Sequence, residues 1–409
     1  MSNKKYWQNF GELNQTEAFE QSAKNEFQEE LLPIEELDNG MLNAKTPRRD
    51  FLKYLGFSTA AATIAASCEM PVRKAVPYLQ RPDNVIPGVA NYYASTYVNG
   101  GDVISVVVKQ RDGRPIKIEG NELSSITKGG TSAQAQASVL DLYDNTRLRY
   151  PQQKDGKDFK EVTSFDNFDK MVAGAIAGKA VVLLTATVNS PSTQQIINEF
   201  LAKYPGSRHV QYDAVSYSGM LLANEATYGK RVIPSYHFDA AKTIVSIGAD
   251  FLGTWISPVE FAKAYSKGRK VTAANPTMSK HYQIEGVMSI TGGCADERAT
   301  ARPSEYGKVA VALLDAINGK DASFENKKLN ALIKNAAASL KAGDGLVVCG
   351  SNDTATQEVV FAINSAIGAF GKTVNTAVSN LSKKGNDTDM SAFVAALKGG
   401  SVGGVLFAD

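Results

Sequence analysis

Along most of the chain, short apolar runs stop at small or polar residues and are followed by helix-start signals. Ala180 to Val188 runs into Asn189-Ser190-Pro191-Ser192, where Ser190 suits an N-cap and Pro191 the first helical position. Thr243 to Gly248 stops at Ala249-Asp250, Lys270 to Ala274 at Asn275-Pro276, and Gly345 to Gly350 at Ser351-Asn352-Asp353. Helical stretches near 193–203, 305–317 and 355–368 lie between or after these runs. Repeated strand-then-helix units predict parallel sheets covered by helices on both faces. Ligands of such sheets bind outside the carboxyl ends of the strands, where loops and helix N-termini present N–H groups. A nucleotide-like ligand would therefore touch Gly248, Asp250, Asn275, Gly350 or Ser351. The plain alternative is that these residues only end strands.

The pattern before this region is different. Val103 to Lys109 is a β-branched run, Asp112-Gly113 is a hairpin turn, and Pro115 to Glu119 alternates as a returning strand. Residues 88–160 thus read as a small β-rich domain, bounded by the polar turn Lys154-Asp155-Gly156-Lys157-Asp158, and 161–409 as an α/β region. Val402 to Asp409 reads as one more buried strand without a helix to cover it, so the expectation is a fragment truncated at its C-terminus.

Prolines at 71, 77, 82 and 87 mark residues 69–87 as an extended linker. Upstream, Arg48-Arg49 is followed by Phe51-Leu52-Lys53 and a mildly apolar run of about eleven residues, 56–66. That is the length of a signal h-region, well short of the roughly twenty residues of a spanning helix. Residues 46–68 therefore read as a twin-arginine (Tat) export signal, with the Tat translocase as partner and the periplasmic side of a bacterial inner membrane as destination. Ala65-Ala66-Ser67-Cys68 resembles a lipoprotein cleavage site, which would lipidate Cys68; a hydrophobic-to-turn boundary is the other reading. Residues 1–45 form an acidic leader with Tyr6, Trp7, Phe10 and Phe19 in a broken amphipathic pattern, either a docking arm or a solvated segment.

Composition narrows the chemistry. With 43% hydrophobic and 21% charged residues, the chain is ordinary for a folded globular protein, and 409 residues favour more than one domain. A formal charge of +2 is too balanced for a protein that must neutralise many phosphates, which removes nucleic acid as a partner. The three cysteines, Cys68, Cys294 and Cys349, stand far apart, so no C-x-x-C pair can seat zinc or an iron–sulfur cluster. His209, His237 and His281 have no nucleophile or second ligand at a recognisable spacing. Gly368 to Thr373 is similar to the end of a phosphate-binding loop, yet Ala366 stands where glycine is needed and a helix precedes it.

Taken together, the signal, the paired strands Gly101 to Lys109 and Asp112 to Asn121, the closing segment Asp141 to Pro151 and the strand–helix series resemble the amino-terminal part of the molybdopterin oxidoreductase family. The resemblance implies an α/β fold: a small β-rich amino-terminal domain, then doubly wound parallel-sheet domains. Catalytic members hold a [4Fe–4S] cluster with four cysteines. Here Tyr92 to Gly100 and Gly129 to Ser132 contain none, and the hydroxyl side chains there do not replace thiolates. Asn275-Pro276-Thr277 stands where the family has Asp-Pro-Arg, which reads the guanine of molybdopterin guanine dinucleotide. Arg302-Pro303-Ser304-Glu305-Tyr306 stands where Arg-Pro-Gly-Thr-Asp is usual, and Asp213 to Met220 offers Ser216 and Ser218 but no cysteine as a molybdenum ligand.

The pattern is most similar to the large fused subunit of alternative complex III, a quinol-oxidising respiratory complex. That likeness implies a segment without a cofactor or catalytic residues, iron–sulfur clusters in the missing C-terminal part, and integral-membrane quinol-binding and cytochrome c-type subunits as partners. An active periplasmic oxidoreductase carrying molybdopterin guanine dinucleotide is the alternative.

Overall fold

The computed structural model describes residues 86, 88–99, 102–273, 276–321 and 323–408, all within the second of the chain's two units, Pro82–Asp409. The expectations for Arg48, Arg49 and Cys68, for the leader and signal region, and for Asn275 lie outside the described residues.

The first elements form a meander. Strands β1 (Ala90–Asn99), β2 (Asp102–Arg111) and β3 (Arg114–Gly120) pair antiparallel in the order β1-β2-β3. Between β2 and β3, Asp112 and Gly113 both have positive φ, 50° and 77°, as a two-residue hairpin turn requires. Helix α1 (Ala133–Ala137) and a 3-10 helix, Ser138–Tyr143, cover one face of β2 and β3. Ile104, Val106 and Ile118 are buried there with Ala135 and Val139, and Val259 packs against them. The hairpin β4 (Gln152–Asp155) and β5 (Asp158–Glu161) is exposed along its whole length; the polar turn expected at 154–158 is its tip.

The α/β part begins with α2 (Phe165–Ile176), β6 (Val181–Thr185), α3 (Pro191–Lys203) and β7 (Arg208–Gln211). Ser190 caps α3 by accepting the Thr193 N–H, and Pro191 opens it. Next come α4 (Ser218–Tyr228), β8 (Ile233–Tyr236), β9 (Thr243–Ile247), α5 (Pro258–Arg269), β10 (Lys280–Glu285), α6 (Ile290–Gly293) and β11 (Glu297–Thr300). The chain continues through α7 (Tyr306–Ile317), α8 (Lys327–Lys341), β12 (Gly345–Cys349), α9 (Thr354–Ala366), β13 (Val374–Asn380), α10 (Asp387–Lys398) and β14 (Gly404–Ala408).

Two parallel sheets organise this part. One has the order β11-β10-β9-β12, the other β14-β6-β7. In the first, alternation splits each strand between two cores. Val245, Ile247, Tyr282, Ile284, Val347 and Cys349 face α7, α8 and α9, while Ile244, Leu346 and Val348 face Phe261 and Tyr265 of α5. Each such fully buried aliphatic or aromatic side chain contributes about 1.5–3 kcal/mol, and the two-sided cover suits strands that are apolar throughout, as β12 is, or mostly so, as β9 is with Thr243 and Ser246 buried among its aliphatic residues.

One expected strand is corrected. Of the expected strand Lys270 to Ala274, the described residues 270–273 belong to none of the named strands; α5 ends at Arg269, Val271 is exposed, and the sheet takes Lys280–Glu285 instead. That strand reads as polar because His281, Gln283 and Glu285 alternate along it, yet all three are buried and bonded to one another.

Candidate functional site

Strands β9, β10 and β11 add in one direction and β12 returns to the other side of β9, so the topological switch lies at the ends of β9 and β12. Gly248 and Gly350 occupy those ends. A cleft of about 1460 Å³ opens beside them, lined by Gly248, Asp250, Glu285, Tyr306 and Asp353 among others. Gly350 and Ser351 are not part of its lining.

Protein atoms take the space that a ligand would use at the switch. Gly248 has φ +65°, and a Cβ there would lie 2.2 Å from Cε2 of Tyr306, so the phenol ring rests directly on this glycine. The Tyr306 oxygen accepts the Gly286 N–H at 3.2 Å, and burial pushes its pKa upward. A Cβ on Gly350 would meet the Gly248 carbonyl oxygen at 2.2 Å; the two strand ends touch through their backbones. A pyrophosphate cannot approach Gly248 while the ring is in place. Glycine at 248 was legible as a strand-ending residue, but Tyr306 was missed, although its aromatic replacement of the final Asp in the five-residue pattern carried the signal.

The Asp250 carboxylate is also committed. Its Oδ1 accepts the Thr291 N–H at 3.1 Å and the Thr291 hydroxyl at 2.7 Å, binding the end of β9 to α6. Beside it, Glu285 accepts from Arg298 Nε (2.6 Å), the Ser289 hydroxyl (2.7 Å) and N–H (3.2 Å), and the Gln283 amide (3.0 Å). Burial works to raise its pKa, but these bonds outweigh it and hold the carboxyl below its ordinary range.

The polar chain continues inward along β10. Gln283 donates its amide to Glu285 and so turns its carbonyl to His281 Nε2, at 3.2 Å; this assigns the imidazole proton to Nε2. Nδ1 meets the Tyr265 hydroxyl at 3.1 Å, which also reaches the Cys294 carbonyl at 3.1 Å. His281 is fully buried, and burial lowers its pKa to about 4. Of the other two histidines, His209 Nε2 meets the Thr185 hydroxyl at 2.8 Å.

Two helix N-termini at the cleft are capped by side chains. Asp353 accepts the N–H (2.8 Å) and hydroxyl (2.7 Å) of Thr356 at α9, and Asn326 accepts the Lys328 and Leu329 N–H groups at α8; Glu305 accepts the Arg302 N–H at the 3-10 turn Pro303–Glu305, and α7 after it has no side-chain cap. The lining holds six carboxylates, at 250, 285, 305, 315, 325 and 353, against Arg302 and Lys308. Arg298 and Lys320 pair with Glu285 and Asp315 from outside it. An anion would thus meet occupied N–H groups at α8 and α9, and unfavourable charge.

At the carboxyl ends of both sheets a second cluster ties the two together. The Ser216 hydroxyl donates to Asp387 Oδ1 at 2.8 Å, Asn352 donates to Oδ2 of the same carboxylate at 3.0 Å, and Asn352 Oδ1 accepts the Gly219 N–H at 2.8 Å. Gly219 is packed so tightly that a Cβ would lie 2.0 Å from the Asn352 carbonyl oxygen. Ser218 is buried and its Oγ accepts the Asp387 N–H at 3.4 Å. Both serines considered as metal ligands are therefore spent on protein partners. Asp213, also buried, accepts from Thr187 N–H and hydroxyl and from the Gly385 N–H.

Among the described residues no group of three or more His, Cys, Asp or Glu could hold a metal ion. Cys294 is exposed; Cys349 is buried at the end of β12, where burial pushes the thiol up to about 12 and its sulfur accepts the Ser351 N–H at 3.4 Å. The Gly368 to Thr373 loop spends its N–H groups on itself, with Lys372 and Thr373 both donating to the Ala369 carbonyl. No helix among the described residues is long and apolar enough to cross a membrane.

Two substitutions test the contact at the switch. Gly248→Ala is expected to lose roughly 1–3 kcal/mol of stability in denaturant titration, because positive φ and the ring both oppose a Cβ. Tyr306→Phe keeps the ring and is expected to lose only about 0.5–1.5 kcal/mol, the net worth of one hydrogen bond.

No protein-family model matches the chain. It is similar to the menaquinone reductase, molybdopterin-binding-like subunit, of Nitratidesulfovibrio vulgaris Hildenborough, at 24% identity over 343 residues. The match covers 74% of this chain and 48% of that protein, so the chain spans about half the length of its curated relative. The likeness supports a molybdopterin-oxidoreductase-like relationship at long range. Among solved structures, the formyltransferase/hydrolase complex from Methylorubrum extorquens in complex with methylofuran is similar over 54% of this chain and 58% of that one. Identity there is 13% and the TM-score 0.37, which carries no argument about function.

Proposed function

We propose that this chain is a molybdopterin-oxidoreductase-like, cofactor-free structural part of an electron-transfer subunit in a membrane quinol-oxidising respiratory complex of the alternative complex III kind. The observation that carries the reading is the Tyr306 ring seated on Gly248, at the point where a parallel sheet of this topology receives a nucleotide. The capped helix ends, the carboxylate-rich cleft and the engagement of Ser216 and Ser218 by Asp387 support it from separate directions. Three cysteines in 409 residues cannot supply the four thiolates of a [4Fe–4S] cluster. The residues present do not fit molybdopterin guanine dinucleotide, because the Tyr306 ring occupies the approach to Gly248 and carboxylates crowd the cleft.

The relative's name ties that protein to menaquinone reduction, and we carry the quinone connection to this chain as part of the same proposal. Arg48-Arg49 supports export by the Tat route to the periplasmic side of the inner membrane, with integral-membrane quinol-binding and cytochrome c-type subunits as partners. Iron–sulfur clusters would belong to further polypeptide outside these residues.

Metal and pterin analysis of the protein purified from its own membranes is the test. The expected result is molybdenum below a tenth of stoichiometric and no pterin fluorescence after oxidation. Near-stoichiometric molybdenum with pterin would instead establish the alternative, an active periplasmic molybdopterin-dependent oxidoreductase.

A further inference from the structure

We propose that the cleft beside Gly248 is a docking groove for an amphipathic helix of a different polypeptide of the assembly, one that carries lysine or arginine beside its aliphatic anchors. The proposal rests on reading the chain as a subunit of a larger complex, and it names the partner chemistry of the site that Tyr306 closes to a nucleotide.

The groove follows α7, which packs between α8 and α9. Lys308, Val311 and Asp315 stand three and four positions apart and all line the cleft, so one face of α7 borders it for about 10 Å. Val311 is 46% exposed although Val309, Ala310, Ala312 and Leu313 around it are buried. Phe324 before α8 and Val359 of α9 add apolar surface, and Gly307, Ala312 and Ala355 are small enough to let another helix come close. At the mouth, Val287, Met288 and Ile290 are 66–83% exposed, three large apolar side chains within four residues after β10. Concentrations of this kind mark contact surfaces.

Size and surroundings select a helix. A volume of about 1460 Å³ exceeds what a small ligand fills. Only the last residues of two strands, Glu285 and Thr300, reach the cleft, so an extended peptide would find no sheet edge there for its N–H and C=O groups. A helix satisfies its own backbone and packs side chains one turn apart into a groove.

Charge selects its composition. Of the six carboxylates in the lining, Glu285 and Asp315 are paired by Arg298 and Lys320; those at 250, 305, 325 and 353 remain against Arg302 and Lys308. Glu325 has no ion-pair partner among the described residues. A cationic helix finds its complement here, whereas an anionic lipid surface is repelled.

This chain does not supply such a helix. Among the described residues no helix combines an exposed large apolar side chain with more than one Lys or Arg, which sets aside a second copy of them. In the remaining sequence the leader is acidic, and Arg48, Arg49 and Lys53 read as the export signal. Arg73, Lys74 and Arg81 stand among prolines 71, 77 and 82, which leave no stretch of two helical turns between them.

The test uses the assembly purified from native membranes through a tag on this protein, with a small diazirine side chain at position 311. Irradiation is expected to join it to a peptide of a different polypeptide that carries at least two Lys or Arg within two helical turns. Glu325→Lys should cut that yield at least fivefold with an unchanged melting temperature, whereas Glu325→Asp should keep it. Crosslinks within this chain, to a second copy of it, to lipid or to a peptide without those cations would each overturn the proposal, as would full yield in Glu325→Lys. If no other subunit co-purifies, the functional reading fails and the groove proposal with it. If subunits co-purify and none is crosslinked, only the groove proposal fails.

Discussion

Replacing Arg298 with alanine is expected to destabilise the protein by about 3–5 kcal/mol, more than any other single change discussed for this chain. Its Nε lies 2.6 Å from Glu285, a carboxylate with only 5% of its side chain exposed. The remaining donors, from Ser289 and Gln283, are neutral. Without the guanidinium the carboxylate stays in the interior with no counter-charge, and that desolvation accounts for most of the cost. Glu285→Gln in the Arg298→Ala background should recover part of the loss, since the buried charge is then gone. Urea midpoints of the three variants measure this. A double variant less stable than Arg298→Ala would show that the charge itself was not the problem.

Acid is expected to weaken the protein in two separate windows, the first set by His281. Its pKa is about 4 when folded and 6.5 in the ordinary state, so the unfolded chain takes up the proton first. The stability associated with the neutral imidazole is complete above pH 6.5 and lost as pH falls from 6.5 to 4, by about 3 kcal/mol in all. Carboxylates held low in the fold act in the opposite part of the scale. Glu285, kept low by its hydrogen bonds against burial, and Asp296, kept low first by Arg269, contribute above their unfolded pKa values and lose that contribution only in stronger acid. In a His281→Gln variant, denaturant stability between pH 6.5 and 4 should lose a slope corresponding to one proton. Parallel pH profiles for the variant and the natural protein would rule out this assignment.

Residues with purely local consequences made the fold readable from the chain. Ser190-Pro191 announced α3 because capping and a fixed φ act within one turn, and Asp112-Gly113 announced the β2–β3 turn for the same reason. Thr243–Ile247 and Gly345–Cys349 could be read as strands because burial on both faces leaves a largely apolar, β-branched run. Strand β10 was hidden by the same logic: His281, Gln283 and Glu285 are polar, and only their mutual bonding, invisible in one dimension, lets them be buried. The candidate site was half legible. Strand ends located Gly248 and Asp250 beside the cleft, but Tyr306, 58 positions beyond Gly248, covers it through tertiary packing that no local pattern encodes. Likewise the Ser216–Asp387 bond joins residues 171 positions apart.

Cys349 gives the molecule an internal timepiece. Its thiol, sealed at the end of β12 and pushed to about 12, offers almost no thiolate to an alkylating reagent in neutral buffer, while Cys294 stands in the open. A saturating reagent therefore labels Cys294 without waiting for the protein, and Cys349, followed on its own peptide and so apart from Cys68, gains its label only during excursions in which β12 leaves its sheet. Counting the Cys349 label against time turns this edge strand into a recorder of how often the interior breathes, with no engineered probe.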